Sequence, residues 1–569
     1  MVSASRDVLD RLADSLRQYA VSHPVHLPSL SPVKAEAYEL LKPQGGMDDP
    51  LSHTEDGSLF HRACNNLNSV GYTINQAQLD FVLALCNAPR STHLLPGHEM
   101  PPLPSYQDDM DDEQRALVRR ERAKAYARQR VWRNQRTKLL SSLSVVRQYQ
   151  NKEVFFNVRA DFRGRIYPEA DIISYQGTDW IRSLWQFSQG KAIDTVEQGH
   201  WLYINAANCL GLSRQSFDSR VSYISDRMDE WRALAADPLE YVELLEQASD
   251  PFRFVAAIRE VVAYEAHGLG YVSHIPVQID ASSQAIQIWA GLTGTRELLI
   301  ASNVLDSGEC RDIYQELASD IYADAMNDAC DGAIPWRISG IDRKVVKQAM
   351  MIIPYGGTYV SIQRIVDSHY QDTPNAARVW LCNRLWHDSR DILHDLVKMQ
   401  ETLAQAVSED LRNNGGSTYT WASPCGVQVT QRYMRTKRHR IKNAIGETLY
   451  SYRLDTDQVS THKHSTAFAA NFLHSLDASL LCHAVSAMDD AGVTSVMPIH
   501  DCVGVLAADV TSAKHILSSS YLWLLSEGHT LTEGLCNILK VGGGGADPCY
   551  DGLPRAFPTP EEVSPYLFS

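Results

Sequence analysis

Hydrophobic periodicity divides the chain into a helical opening, a mixed α/β middle and a helix-rich second half. Val8, Leu9, Leu12 and Leu16 have helical spacing, but Asp7, Asp10 and Asp14 share the segment. It therefore reads as a surface helix docked by an apolar stripe rather than as a targeting peptide, which would avoid acids. Pro43 to Pro50 interrupt the pattern. NSVGYTINQAQLDFVLALC predicts an extended lead-in followed by a helix. PGHEMPPLPSYQDDMDDE is a linker, because neither its prolines nor its acid run suits a packed helix. RALVRRERAKAYARQRVWRNQRTKLLSSLSVVRQYQ has no Pro or Gly and is rich in strong helix formers, so it predicts one long helix.

From about residue 151 the periods mix. VFFNVRADFRGRIYP reads as strand, turn, strand. GHWLYINAANCLGL and SRVSYISDRMDEWRAL read as helices, and HIPVQID is a short β-rich run ending in an acid. Between about 300 and 412 helices dominate: CRDIYQELASDIYADAM, DRKVVKQAMMIIPYG and a long one around AARVWLCNRLWHDSRDILHDLVKMQETLAQAV. STYTWASPCGVQVTQRY predicts a hairpin, with Pro424 and Gly426 in the turn. FAANFLHSLDASLLCHAVSAM is an apolar helix, and SVMPIHDCVGVLAAD a strand after it. VGGGGADP lacks the Lys-Ser/Thr of a phosphate-binding loop and is read as a turn.

Composition narrows the class. The 569 residues are 44% apolar and 21% charged, ordinary for a globular chain, and no apolar run approaches a bilayer span, so no membrane partner is expected. The 11 cysteines are scattered without a C-x-x-C pair, which suggests reduced thiols in a cytosol-like compartment and no zinc site. The net charge of −15 argues against nucleic-acid binding, but its distribution does not. Arg115 to Lys138 hold ten Lys/Arg and a single acid, Glu121, and RYMRTKRHRIK forms a second basic run from Arg432 to Lys442. Positive stripes on an acidic body suit a protein that grips phosphates in a channel.

Three separated segments carry candidate chemistry. Asp280 ends HIPVQID, and Asp501 lies in the β-rich run VMPIHDCVGV. Singly, each is an ordinary solvated strand end. If their strands are neighbours, the two carboxylates can bridge a pair of Mg²⁺ ions, which take few protein carboxylates and leave room for phosphate oxygens. In DRKVVKQAMMIIPYGG, Arg343, Lys347, Met351 and Tyr355 recur every four residues, so one helix face would offer two cations, a spacer and a ring. Such a face suits a nucleoside triphosphate.

These segments, in this order, resemble single-subunit phage- and mitochondrial-type DNA-directed RNA polymerases and their family A DNA polymerase relatives. DFRGRIYP, AANCLGLSR, DASSQAIQ, TYTWASPCGVQV, NFLHSLDASLL and IHDCVGV all match, and the similarity runs from about residue 65 onward. The resemblance implies an α+β, helix-rich right-hand fold with palm, fingers and thumb and an antiparallel palm sheet. It divides the chain into a helical/loop segment at 1–65, a thumb-like region at 66–150, palm at 151–297 and 475–569, and fingers at 298–474, with a promoter-hairpin-like segment at 430–460.

Carried over by residue, the resemblance implies that Asp280, Asp501 and the Ala281 carbonyl bind two Mg²⁺ ions. Arg343, Lys347 and Arg214 would hold the triphosphate, and Lys347 would give a proton to the departing pyrophosphate. Tyr355 would close the sugar pocket with His474 nearby. Arg163, Arg165 and Tyr167 would contact the nucleic-acid backbone. His500 would position its strand, a satisfied core histidine being the other reading. DNA polymerases of this superfamily carry Glu five residues after the first aspartate and again after the second; here Ala285 and Cys502 stand there, leaving room for a ribose 2′-hydroxyl. Ala281 and Ala285 replace glycines common in these RNA polymerases, Ile288 a histidine and Gln348 a frequent basic residue.

The expected activity is DNA-dependent RNA synthesis from NTPs by a monomer, with DNA template and RNA product as partners. The short stretch ahead of DFRGRIYP implies a reduced promoter-melting apparatus, hence melted or single-stranded DNA, or a single-stranded-DNA-binding or promoter-recruiting protein. A phage-encoded chain would work in the host bacterial cytoplasm, with virion packaging a further option. The rival readings are a family A-like DNA polymerase or primase, and an inactive nucleic-acid-binding homologue.

Overall fold

The computed structural model describes residues 26–44, 51–88, 92–107, 110–442, 448–541 and 558–569. The Val8–Leu16 stripe, most of the Pro43–Pro50 break and the Gly542–Gly545 turn lie outside these residues.

The long basic stretch forms one helix, Asp112–Gln148. It opens on a capping box: Asp111 accepts from the Gln114 N–H at 2.8 Å, and the Gln114 side chain accepts from the Asp111 N–H at 3.0 Å. Its first half is mostly exposed, and its inward stripe comprises Ala125, Gln129, Arg136, Leu139, Ser142, Leu143 and Val146. The linker before it is a strap rather than a free tether. Carbonyls of a proline-rich segment find no ladder partner, and here they accept side-chain donors from the helix, Arg122 to Pro104 at 2.6 Å and Gln129 to Pro101 at 2.7 Å. Arg136 is buried and donates to the carbonyls of Cys86 and Pro96, so it is not part of the exposed basic face.

The middle of the chain gives short strands, Val154–Phe155, Val158–Ala160 and Ile166–Pro168, then the packed helices Val196–Leu210 and Pro251–His267. The expected long helix near 376–407 is two, Asn375–Ile392 and His394–Asn414. The predicted hairpin is present as Thr418–Ala422 against Val427–Arg432, with Gly426 in the left-handed region at φ 91°. The second basic run lies on a two-stranded ribbon, Met434–Lys442 paired with Thr448–Val459.

One helix, Thr461–Asp490, is buried on nearly every side because its sequence is apolar or small all round. Ser475, Ala478 and Ser479 let neighbours approach closely: Trp421 Nε1 donates to Ser475 Oγ at 3.0 Å. The wider core includes the fully buried Trp185, Trp231, Trp289 and Trp336. Truncating any of them to alanine would cost about 3–5 kcal/mol. The architecture is α+β and helix-rich, with only small antiparallel sheets. Among the described residues, no helix is long and apolar enough to cross a membrane.

Candidate active site

Strands Met497–Ile499, Cys502–Val505 and Val277–Asp280 form one antiparallel sheet, with Cys502–Val505 in the centre. Cys502 pairs with Asp280 on one side and with Ile499 on the other. His500 and Asp501 are therefore a two-residue hairpin turn, not the interior of the single strand expected from SVMPIHDCVGVLAAD. Such turns need φ > 0 at their first central position, and His500 has φ 59°. Tyr167 meets the His500 ring edge-on at 5.1 Å. The Ala281 N–H donates to the Asp501 carbonyl at 3.4 Å. This register brings the two aspartates together at one end of the sheet.

Asp280 is exposed at the end of its strand, yet neighbouring groups crowd it. That crowding first, and the Asp501 carboxylate second, raise its pKa above the usual carboxylate range, while Lys347 and Arg214 pull it back. Two carboxylates and a backbone carbonyl at Ala281 make a hard-oxygen donor set, the kind that suits Mg²⁺. Among the described residues, no three or more His, Cys, Asp or Glu side chains come together in a way that could by themselves hold a metal ion.

Opposite lies the helix Arg343–Met351, capped by Asp342, whose carboxylate accepts from the Lys344 N–H at 2.8 Å. Val345, Val346, Ala349 and Met350 are buried, so Arg343 and Lys347 stand on the other side. The helix does not continue to Tyr355. Pro354 lacks an N–H and disfavours helical geometry before it, and Ile353–Tyr355 forms a 3₁₀ turn closed by Gly356 at φ 77°. The expected single helix face thus becomes a helix face plus a turn.

Arg343 grips Asp312 with both arms, Nε to Oδ2 at 2.7 Å and Nη2 to Oδ1 at 3.0 Å, and Arg214 reaches the same carboxylate at 3.7 Å. Burial alone would raise the Asp312 pKa, but the two arginines outweigh it and hold the group below the ordinary range. Arg343 and Lys347 both lie over the Tyr314 ring, at 5.7 and 5.9 Å. Burial, then Arg214 and Arg343, lower the Lys347 pKa, against the pull of Asp280 and Asp312. All the expected triphosphate cations therefore converge on the Asp280 side of the cleft.

Tyr355 and His474 meet as tilted rings 5.1 Å apart. Arg163 Nη1 lies 2.7 Å from His474 Nδ1. Burial and the nearby Arg165 and Arg163 keep His474 neutral. Arginine can only donate, so Nδ1 accepts and Nε2 carries the proton. Arg163 also pairs with Asp161 at 2.5 Å, and Arg165 with Asp477 at 2.9 Å. The arginines expected at the nucleic-acid backbone pair with internal carboxylates, and Arg163 also holds His474. Ala285 is half-buried in the helix Gln284–Thr293, and Ile288 is fully buried there.

Sequence reasoning missed Asp312, Tyr314, Asp161 and Asp477 as parts of this cluster. It also missed the segment Tyr566–Ser569. Ser569 exchanges backbone hydrogen bonds with Asp280 at 2.9 and 3.2 Å, and Ser282 Oγ donates to the Tyr566 carbonyl at 2.6 Å. Only Asp312 carried a local signal, as the N-cap of Ile313–Asn327; its pairing to Arg343 is long-range.

Paired aspartates facing a basic helix, with an aromatic ring beside it, define a site suited to nucleotidyl transfer. The family model described as DNA-dependent RNA polymerase matches residues 195–538, and the chain belongs to that family. It is 25% identical over 509 residues to the mitochondrial DNA-directed RNA polymerase of Schizosaccharomyces pombe, covering 84% of this chain and 44% of that protein. It is 26% identical over 516 residues to T7 RNA polymerase of Escherichia phage T7, covering 79% of this chain and 57% of that one. A chloroplastic/mitochondrial RNA polymerase of Nicotiana tabacum is 28% identical over 493 residues, covering 81% and 47%. The chain spans about half the length of these relatives.

Proposed function

We propose that this chain joins NTPs into RNA on a DNA template. The observation that carries the reading is the antiparallel register that sets Asp501 beside Asp280, across from Lys347 and Arg214. Crowding first and the Asp501 charge second raise the Asp280 pKa, which Lys347 and Arg214 only partly offset, and the oxygen donor set fits a hard divalent cation. Asp280, Asp501 and the Ala281 carbonyl would hold two Mg²⁺ ions, which when bound lower the pKa of an attacking 3′-hydroxyl and stabilise the leaving pyrophosphate.

The remaining work falls to side chains. Arg343 and Arg214 bind the triphosphate, giving up part of their hold on Asp312 as phosphate oxygens arrive. Lys347 Nζ, whose lowered pKa eases proton release, donates to the departing pyrophosphate. Tyr355 and His474 wall the sugar, with the His474 Nε2–H as a donor to a ribose hydroxyl. Ala285 and Cys502 leave that hydroxyl space. In this reading the helix Asp112–Gln148 belongs to a thumb at 66–150 and lies beside the hybrid. The palm comprises 151–297 and 475–569. The fingers comprise 298–474, with the 430–460 ribbon touching DNA.

The test is extension of a primed template and run-off from single-stranded, bubble and duplex DNA, with NTPs or dNTPs and Mg²⁺. RNA from NTPs on the open templates supports the reading. Preference for dNTPs would replace it with a DNA polymerase, and no synthesis on any template would replace it with a binding protein. Efficient run-off from linear duplex promoter DNA by the chain alone would remove any need for a melting or recruiting partner.

A further inference from the structure

Beneath the strand that ends at Asp280 lies a small cavity of about 30 Å³, lined by Arg182, Trp185, Asn205, Cys209, Arg253 and Gln278 among others. Two buried donors on its wall have no acceptor. Trp185 is 2% exposed and its Nε1–H has no acceptor; the buried Arg182 Nε–H has none either. The other arm of Arg182 donates to Gln278 Oε1 at 2.8 Å. Among the described residues, no carboxylate comes within ion-pair distance of Arg182, because the nearby Asp179 and Asp250 are both taken by Arg253. Burial first, and the adjacent Arg253 second, depress the Arg182 pKa.

The side-chain acceptors on this wall already face donors, Gln278 Oε1 closely and Asn205 Oδ1 at longer range. Gln278 Oε1 receives N–H groups from Arg182 and Arg253 and faces the Cys502 thiol at 3.6 Å. Asn205 Oδ1 faces the Gln278 N–H at 3.5 Å. A water here would satisfy the two orphan donors but would have two protons of its own to place, and buried waters normally make about three hydrogen bonds. An anion can accept both bonds, donates none and adds to the partial compensation that the more distant Asp250 and Asp179 give the half-buried Arg182 cation. The space suits one small ion and excludes phosphate esters or carboxylate ligands.

We propose that this cavity binds a single monovalent anion of the chloride class, held by the Arg182 Nε–H and the Trp185 Nε1–H under the Asp280 strand. Its occupancy fixes Arg182, and through it Gln278, two residues before Asp280 on the same strand. The site is separate from the cleft, and the proposal stands whether or not the chain makes RNA.

The experiment is halide substitution on the full chain. Crystals in bromide should give an anomalous difference peak within hydrogen-bond distance of Arg182 Nε and Trp185 Nε1. In solution at constant ionic strength, Tm should rise with chloride or bromide relative to glutamate. Trp185→Phe, which keeps a ring but loses the N–H, should remove most of that halide-specific rise. A cavity without anomalous signal overturns the proposal and leaves water as the occupant. So does a bromide peak unaccompanied by any halide dependence of Tm, because that is binding at crystal concentration only. The wild-type measurements decide the matter even if the variant folds poorly.

Discussion

Arg343 and Asp312, 31 positions apart, form a two-pronged ion pair at 2.7 and 3.0 Å, and Arg214 shares the same carboxylate. A half-buried acid thus holds the two arginines that the proposed function assigns to the triphosphate. Asp312→Asn keeps the shape but loses the charge that aligns both arginines. The KM for NTPs should rise roughly ten- to hundredfold, the span expected for losing a charge-assisted hydrogen bond of ~1.5–3 kcal/mol, while kcat changes little. Steady-state kinetics with each NTP check this; an unchanged KM would mean that Asp312 is only a helix cap.

Asp501 sits in the turn that abuts Asp280, and its charge helps raise the pKa of that neighbour. Asp501→Asn should reduce synthesis by about a thousandfold or more, since metal-assisted catalysis is worth several kcal/mol. DNA binding, which the proposed reading assigns to surfaces elsewhere, should stay near wild type. A parallel extension and gel-shift assay separates the two, and retained synthesis would remove Asp501 from the site.

How much of this was legible in the sequence depended on the range of the interaction. The strand ending at Asp280, the helix bearing Arg343 and Lys347 and the hairpin around Gly426 follow from local period and turn residues, and all three are present. The turn at His500–Asp501 was not legible, because a histidine at positive φ breaks the usual glycine or asparagine signal. The split between helix and turn before Tyr355 was available from Pro354, but the four-residue spacing masked it. The clamp at Asp312, the bracing of Arg163 and Arg165, and the docking of Tyr566–Ser569 on Asp280 are tertiary pairings between distant segments. No local pattern encodes them.

Acid should destabilise the fold through a buried neutral histidine. His464 is fully buried, and its Nε2 accepts from the Tyr433 N–H at 3.0 Å at the base of the basic ribbon. Burial lowers its pKa to about 4. With the folded pKa below the unfolded value of ~6.5, the unfolded chain binds the extra proton between those two values. The contribution of His464 is therefore complete above pH ~6.5 and is lost as pH falls toward 4, by about 1.4 kcal/mol per unit. Thermal melts from pH 7 to 5 should decline, and His464→Gln should start lower but decline less steeply. Parallel slopes would acquit this residue.

In the proposed reading, room for a ribose hydroxyl rests on the methyl group of Ala285. Ala285 lies in the first turn of the helix that follows Asp280. Ala285→Glu should cut NTP incorporation by about tenfold or more relative to dNTP, because a bulky buried acid is a built-in clash against the 2′-hydroxyl. Competition assays with paired NTP and dNTP substrates measure the ratio; no change in it would show that the sugar lies elsewhere.

The Tyr355 turn hangs on one carbonyl. Pro354 O accepts from Trp289 Nε1 at 3.0 Å and from Gln400 Nε2 at 2.5 Å, tying the turn both to the helix after Asp280 and to the helix His394–Asn414. Trp289 is fully buried, so Trp289→Phe removes a donor and some volume without adding a polar group. The lost hydrogen bond should cost about 1 kcal/mol, with a further packing term of similar size. Loss of fold stability alone would lower Tm and leave substrate choice intact. If the bond sets the position of Tyr355 against His474, discrimination between NTP and dNTP should fall as well, at temperatures well below the transition. Gln400→Leu, which deletes the other donor from a different helix, should weaken discrimination in the same direction. Two variants that lower Tm yet keep wild-type sugar selection would reduce this carbonyl to a packing contact.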